Sequence, residues 1–318
     1  MKCFNPRWLK VTLPSGQQSK IQAPCGKCAA CLHNRSVEWQ IRLNEEFKKC
    51  ETAHFVTLTY SDDNLPFQEF VDEETGEVFS LPVVSVDDYQ KFIKRLRFDI
   101  RPFKIRYFLV SEYGPENLRP HYHMILFNFP KELDIVSHIE KTWGKGFITV
   151  SPVTRGRIAY VTKYVTGFMD LPEYLPRPFM RCSRRPAIGA CYLTPEIIKY
   201  HLRDLYYSRF VGFNQLKFEE YGFSYPINYY QENGYKKSLP RYYKKKLYTD
   251  EREREFLFWK NHAEQLAAFS RFEREVHSEY YDYIARFGSS VGFVPKYIQQ
   301  NNQFAYSVAK RYKKGRKL

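Results

Sequence analysis

The chain has 318 residues, with 18 Pro, 15 Gly and a hydrophobic share of 43%, a composition that excludes collagen, low-complexity chains and disorder of the whole molecule. Lys and Arg number 50 against 35 Asp and Glu, for a net charge of +15 and a sequence pI near 9.3, so the field around the molecule attracts polyanions, nucleic acid first among them. No apolar run approaches ~18 residues, and the first residues, MKCFNPRWLKVTLPSG, hold no continuous apolar stretch, so neither a membrane span nor a secretory signal is expected.

Residues 1–33 read as a Cys-rich segment. Seven cysteines, four of them before residue 32, argue against a paired disulfide framework and for a reducing compartment. Cys25, Cys28 and Cys31 have C-x-x-C-x-x-C spacing, with Cys3 or His33 as the candidate fourth ligand of a tetrahedral structural zinc. An iron-sulfur cluster and three reduced structural thiols are the alternatives.

Residues 34–170 read as the folded core. NRSVEWQIRLNEEFKK (34–49) predicts a helix capped by Asn34, with Val37, Ile41, Leu43 and Phe47 as an imperfect apolar side. HFVTLTY (54–60) predicts a strand, and 61–82 an acidic, turn-rich surface excursion. Tyr89, Phe92, Ile93 and Leu96 at i, i+3, i+4 and i+7 predict an amphipathic helix. Strands are expected over 105–114 and 121–128 as a hairpin, then a helix near 131–142, a strand at 147–153 and a helix in RGRIAYVTKYVTGFM. The order predicts an α+β fold, an antiparallel sheet flanked by helices. Residues 171–318 read as a basic, aromatic, mostly helical C-terminal region: TPEIIKYHLRDLYY opens a helix with Pro at its first position, and 250–286 suits one long charged helix. PRYYKKKLY (240–248) and the terminal AKRYKKGRKL mix groups that pair with phosphates and groups that stack on bases.

In RPHYHMILF, His121 and His123 are two apart on a strand, so both imidazoles share one face. If Tyr113 pairs with Pro120, Glu112 lies across from His121 and diagonal to His123, and the three form a ligand set for Mn, Mg or Zn with positions left open. Two half-buried structural histidines are the plainer alternative. Tyr160 and Tyr164, four apart on the last core helix, share a face, with Lys163 beside the second; packing alone accounts equally well for such a pair.

The ordered set FVTLTY, RPHYHMILF and YVTKYV resembles the three motifs of the HUH-endonuclease superfamily that starts rolling-circle replication, in its two-tyrosine branch. PCGKCAACLHNRSVEWQIR, LTYSDDNLP, SEYGPENLRPHYHMILF and SRRPAIGACYL further resemble replication initiators of gokushovirus-type microviruses, over roughly residues 20–195. The resemblance implies His121, His123 and Glu112 as ligands of Mg or Mn, and Tyr160 and Tyr164 as nucleophiles that nick and rejoin single-stranded origin DNA through a 5′-phosphotyrosine. It places Lys163 where it would steady the phosphate or phenolate. Position 122 is aromatic where the pattern asks only for bulk. Single-stranded and origin DNA, a host helicase and polymerase, and the bacterial cytoplasm follow as partners and place. A non-catalytic binder of single-stranded nucleic acid, or a relaxase or transposase of the same superfamily, are the rival readings.

Overall fold

In the computed structural model the described residues are 3, 6–12, 18–72, 74–114, 117–165, 171–172, 174–210, 229–249, 274–296, 298–299, 302–303 and 306. They divide into two compact units, Arg35–Thr194, and Met1–Asn34 with Pro195–Leu318. No helix among the described residues is long and apolar enough to cross a membrane.

The elements of the Arg35–Thr194 unit begin with most of α1 (Ala29–Lys49), followed by β3 (Ala53–Thr59), the hairpin β4 (Phe67–Val71) and β5 (Val78–Pro82), and α2 (Val86–Asp99). After them come β6 (Arg106–Tyr113), β7 (Pro120–Phe127), α3 (Ile135–Trp143), β8 (Ile148–Pro152), α4 (Arg155–Tyr164) and β9 (Met180–Cys182). The five-stranded sheet runs β8-β3-β7-β6-β9 and every neighbouring pair is antiparallel.

Because side chains alternate along a strand, the sheet builds two cores. Val56, Leu58, Leu109, Met124 and Leu126 face one way and pack on Tyr89, Phe92, Ile93 and Leu96 of α2 and Ile139 and Trp143 of α3. Phe55, Phe108, Val110, Ile125 and Phe127 face the other way and pack on Leu43 of α1 and on Ile158 and Val161 of α4. The result is the α+β layering that the sequence predicts, with β6 and β7 apolar on both faces because both faces are covered. Tyr122, fully buried, shows why bulk alone does not describe its position: its hydroxyl accepts the Ser85 N–H at 2.9 Å and donates to the Ser85 carbonyl at 2.8 Å. It thereby ties β7 to the cap of α2, where Ser85 Oγ accepts the Asp88 N–H at 3.1 Å.

Several boundaries differ from expectation. α1 begins at Ala29, so Asn34 sits inside the helix and caps nothing; the Leu32 N–H already bonds the Cys28 carbonyl at 3.0 Å. The excursion 61–82 is exposed but contains the β4–β5 hairpin, turned by Asp72, whose side chain accepts the N–H groups of Glu74 and Thr75. The fifth strand, β9, comes from the Pro- and Arg-rich stretch beyond residue 170 and pairs with β6. The loop after it is held by Glu46 of α1, which pairs with Arg106 and accepts the Gly189 N–H at 2.7 Å, while Arg106 also donates to the Pro186 and Ala187 carbonyls. The expected continuation of α4 past residue 165 lies outside the described residues.

The second unit holds the hairpin β1 (Arg7–Thr12) and β2 (Gln18–Ala23), α5 (Pro195–Phe210), the hairpin β10 (Tyr229–Glu232) and β11 (Tyr235–Ser238), and α6 (Arg241–Leu247). α5 opens on Pro195 as the sequence predicts. Asn233 and Gly234, at φ 50° and 80°, make the two-residue turn between β10 and β11. Tyr243 and Tyr248 are buried, so within PRYYKKKLY these two rings build core and are withheld from base stacking. Of the long helix expected over 250–286, residues 274–287 are helical and 250–273 lie outside the described residues, as does the basic terminus AKRYKKGRKL.

Candidate active site

The β6–β7 register sets Glu112 opposite His121 and Tyr113 opposite Pro120. A single carboxylate oxygen, Glu112 Oε2, lies 3.2 Å from His121 Nε2 and 3.2 Å from His123 Nε2. One ligand atom from each of the three residues falls within 4.8 Å of the others. The two imidazoles meet edge to face, 5.0 Å between ring centres.

The opposite edge of each ring is fixed. His121 Nδ1 lies 3.2 Å from the Arg119 carbonyl and His123 Nδ1 lies 3.0 Å from Thr57 Oγ1. A carbonyl can only accept, so His121 carries its proton on Nδ1 and, when neutral, aims the Nε2 lone pair at the Glu112 carboxylate. A lone pair and a carboxylate oxygen at that distance repel unless a proton or a cation lies between them. His123 Nε2 is buried, and although it is 3.2 Å from Glu112 it lacks the alignment of a hydrogen bond and has no other partner. An orphaned buried nitrogen beside a carboxylate and a second imidazole fits a bound divalent cation, and the mixed N,O donor set suits Mg, Mn or Zn.

Electrostatics point the same way. Burial by itself would raise the Glu112 carboxyl, but the neighbouring imidazoles of His121 and His123 outweigh it and hold the group down at about 2. Burial pushes His123 down, and Glu112 only partly opposes it. The site therefore keeps an anionic carboxylate beside an imidazole that resists taking a proton of its own.

α4 lays the tyrosines against this cluster. Thr154 Oγ1 accepts the Arg157 N–H at 3.2 Å to start the helix, Ile158 and Val161 anchor it in the core, and Tyr160 and Tyr164 sit one turn apart. Their rings lie 5.1 Å from each other and 5.4 Å and 5.7 Å from His123. Phe55 stacks on the same imidazole at 5.5 Å. Burial raises both phenols above the ordinary value of ~10, and the Glu112 charge raises Tyr164 further, so both are protonated at neutral pH. Lys163 Nζ stands 5.6 Å from the centre of the Tyr160 ring.

All six residues singled out in the sequence for this site, Glu112, His121, His123, Tyr160, Lys163 and Tyr164, thus fall in one neighbourhood. Thr57 and the Arg119 carbonyl, which hold the two Nδ1 atoms, were not singled out. Thr57 is marked only by alternation in FVTLTY, which puts it on the same face as Phe55, opposite His123 across β3 and β7. Cys3, Cys25, Cys28 and Cys31 form a separate cluster in the other unit, without His33. Burial raises the thiols of Cys50, Cys182 and Cys191, consistent with neutral structural cysteines.

Residues 53–169 match the family model of the replication-associated protein ORF2. The chain is 33% identical over 168 residues to replication-associated protein ORF2 of Spiroplasma virus 4, covering 48% of this chain and 50% of the relative. It is 27% identical over 252 residues to replication-associated protein VP4 of Bdellovibrio phage phiMH2K, 71% of each, and 28% identical over 169 residues to replication-associated protein ORF4 of Chlamydia phage 1, 47% and 39%. The match spans half the length of the first of these relatives. No solved structure matches the chain. Residues 53–169, the stretch that holds the two histidines, their carboxylate and both tyrosines, are thus a domain of the replication-associated protein ORF2 family.

Proposed function

We propose that this chain is a replication initiator that nicks and rejoins single-stranded origin DNA through a covalent 5′-phosphotyrosine, the HUH two-tyrosine chemistry of rolling-circle replication. One observation carries the reading: three ligand atoms converge within 4.8 Å on the sheet face where two phenols stack around His123. A passive nucleic-acid binder has no use for that arrangement.

Glu112, His121 and His123 would hold a magnesium or manganese ion, which when bound supplies positive charge to the scissile phosphate and to the attacking oxygen. The residues do the rest. His121 and His123, with Nδ1 tied to Arg119 and Thr57, present Nε2 without rotating, so no ordering cost is left for the moment of reaction. One tyrosine Oη loses its proton and attacks phosphorus; the bond to the 3′-oxygen breaks and that oxygen takes a proton. The 5′ end is then esterified to tyrosine and the free 3′-hydroxyl is open to a polymerase. In the reverse step a 3′-hydroxyl attacks the phosphotyrosine, so strands rejoin with the number of phosphoester bonds unchanged and no ATP.

Two tyrosines give two such esters: one holds the old 5′ end while the other cuts the regenerated origin. Lys163, on the same helix, steadies the phosphate or the phenolate. The basic residues beyond Thr194 serve as grip for the strand, a host helicase and polymerase as the working partners, and the cytoplasm of a bacterial host as the place. The test is nicking of circular single-stranded origin DNA with and without added Mg or Mn, with a search for protein attached to the 5′ end. Metal-dependent nicking with a 5′ adduct is expected; cutting that leaves a free 5′-phosphate would replace tyrosine by water as the nucleophile.

A further inference from the structure

Outside the site, the described residues hold one other convergence of ligand atoms. The sulfurs of Cys3, Cys25, Cys28 and Cys31 lie within 4.8 Å of one another, with Cys3 to Cys28 at 3.7 Å and Cys25 to Cys31 at 4.0 Å. All four are free thiols. A disulfide needs ~2.05 Å between sulfurs, whereas a tetrahedral ion with Zn–S bonds of ~2.3 Å places its sulfurs ~3.8 Å apart. The observed separations fit a single ion, and a cubane iron-sulfur cluster would hold the sulfurs farther apart.

The backbone is shaped for it. Cys25 N–H donates to Cys3 Sγ at 3.2 Å and Cys28 N–H donates to Cys25 Sγ at 3.3 Å, bonds that favour thiolate sulfur. Gly26, at φ +77°, makes the left-handed turn between Cys25 and Cys28, and the chain then enters α1, which carries Cys31 in its first turn.

The topology says what the ion would do. Cys3 precedes β1 and Cys25 follows β2, and the strands pair from Arg7 with Ala23 to Thr12 with Gln18, so both ends of the hairpin arrive at the same point. The hairpin has no core of its own: Arg7, Trp8, Leu9, Lys10, Thr12, Gln18 and Lys20 are all exposed. Two strands with nothing packed on them are marginal in water.

We propose that Cys3, Cys25, Cys28 and Cys31 bind one zinc ion as a tetrathiolate, and that this ion staples the β1–β2 hairpin to the first turn of α1. The inference is independent of the nuclease reading.

The test uses the full chain purified under reducing conditions. One zinc per chain is expected, kept in the E112A/H121A/H123A variant and lost in C3S and C28S. Cobalt in place of zinc should show the sulfur-to-cobalt charge-transfer band of a thiolate site in the unmutated protein, a reading that stands even if the cysteine variants misfold. Chelation should speed tryptic cleavage after Lys10 and Lys20. Absence of the charge-transfer band, or zinc retained in C3S and C28S, overturns the site; unchanged cleavage after chelation overturns the staple.

Discussion

Thr57 Oγ1 and His123 Nδ1 lie 3.0 Å apart across the β3–β7 ladder, and this bond decides which nitrogen of a buried imidazole faces Glu112. With the proton held on Nδ1, Nε2 is a ligand. Thr57→Val keeps the shape and removes the acceptor, so Mn affinity and nicking rate should fall by about 10- to 100-fold. Calorimetric Mn titration and a nicking assay check it; an unaltered Mn affinity would refute the role.

His121→Ala with His123→Ala should abolish nicking yet leave salt-sensitive binding of single-stranded DNA largely intact, because the Lys and Arg that meet phosphates remain. The slope of log affinity against log salt is the measurement. Equal loss of binding and nicking would mean that the histidines support the fold and do not serve the chemistry.

Tyr160 and Tyr164 stand one helical turn apart beside the same imidazole. Each single Tyr→Phe variant should still cleave a short oligonucleotide but fail to complete a replication cycle, and the double variant should lose the covalent adduct. Gel detection of the adduct decides it. One variant dead in cleavage with the other normal in replication would point to a single-tyrosine enzyme.

Asp99 joins α2 to α3 through His138 and through Lys141 at 2.6 Å, and hydrogen bonds from Lys141 and His138 lower its carboxyl. A carboxyl depressed on folding adds stability above the unfolded carboxyl value of ~3.9 and loses it as pH falls through the lower folded value. Asp99→Asn should therefore unfold at lower urea than the unmutated chain near pH 6. The gap should close as pH falls below about 4, and a gap that persists there would rule out the ionic contribution.

Phe92 is fully buried between α2 and the sheet, with Trp143 edge-on at 5.8 Å between ring centres. Phe92→Ala should cost roughly 3–5 kcal/mol, against about 1 kcal/mol for losing the α2 cap in Ser85→Ala. Denaturant midpoints at fixed m-value give both figures. A reversed order would mean that the cap, and with it the Tyr122 anchor, dominates this side of the sheet.

The period of two in HYHMILF was enough to put His121 and His123 on one face, and the period of 3.6 in AYVTKYV enough to pair Tyr160 with Tyr164, because each pattern is local to its element. The register that brings Glu112 to His121 also follows from a short loop between neighbouring strands. The Asn233–Gly234 turn is legible in the dipeptide itself. What the sequence left open are relationships between residues far apart in the chain. Cys3, and not His33, completes the cysteine cluster; Thr57 meets His123 from another strand; Met180–Cys182 joins the sheet edge; Glu46 and Arg106 pin the loop at Pro186–Gly189. No local period encodes such pairings. They are chosen when the sheet closes and buried polar groups must find partners, and that choice is made by the whole fold.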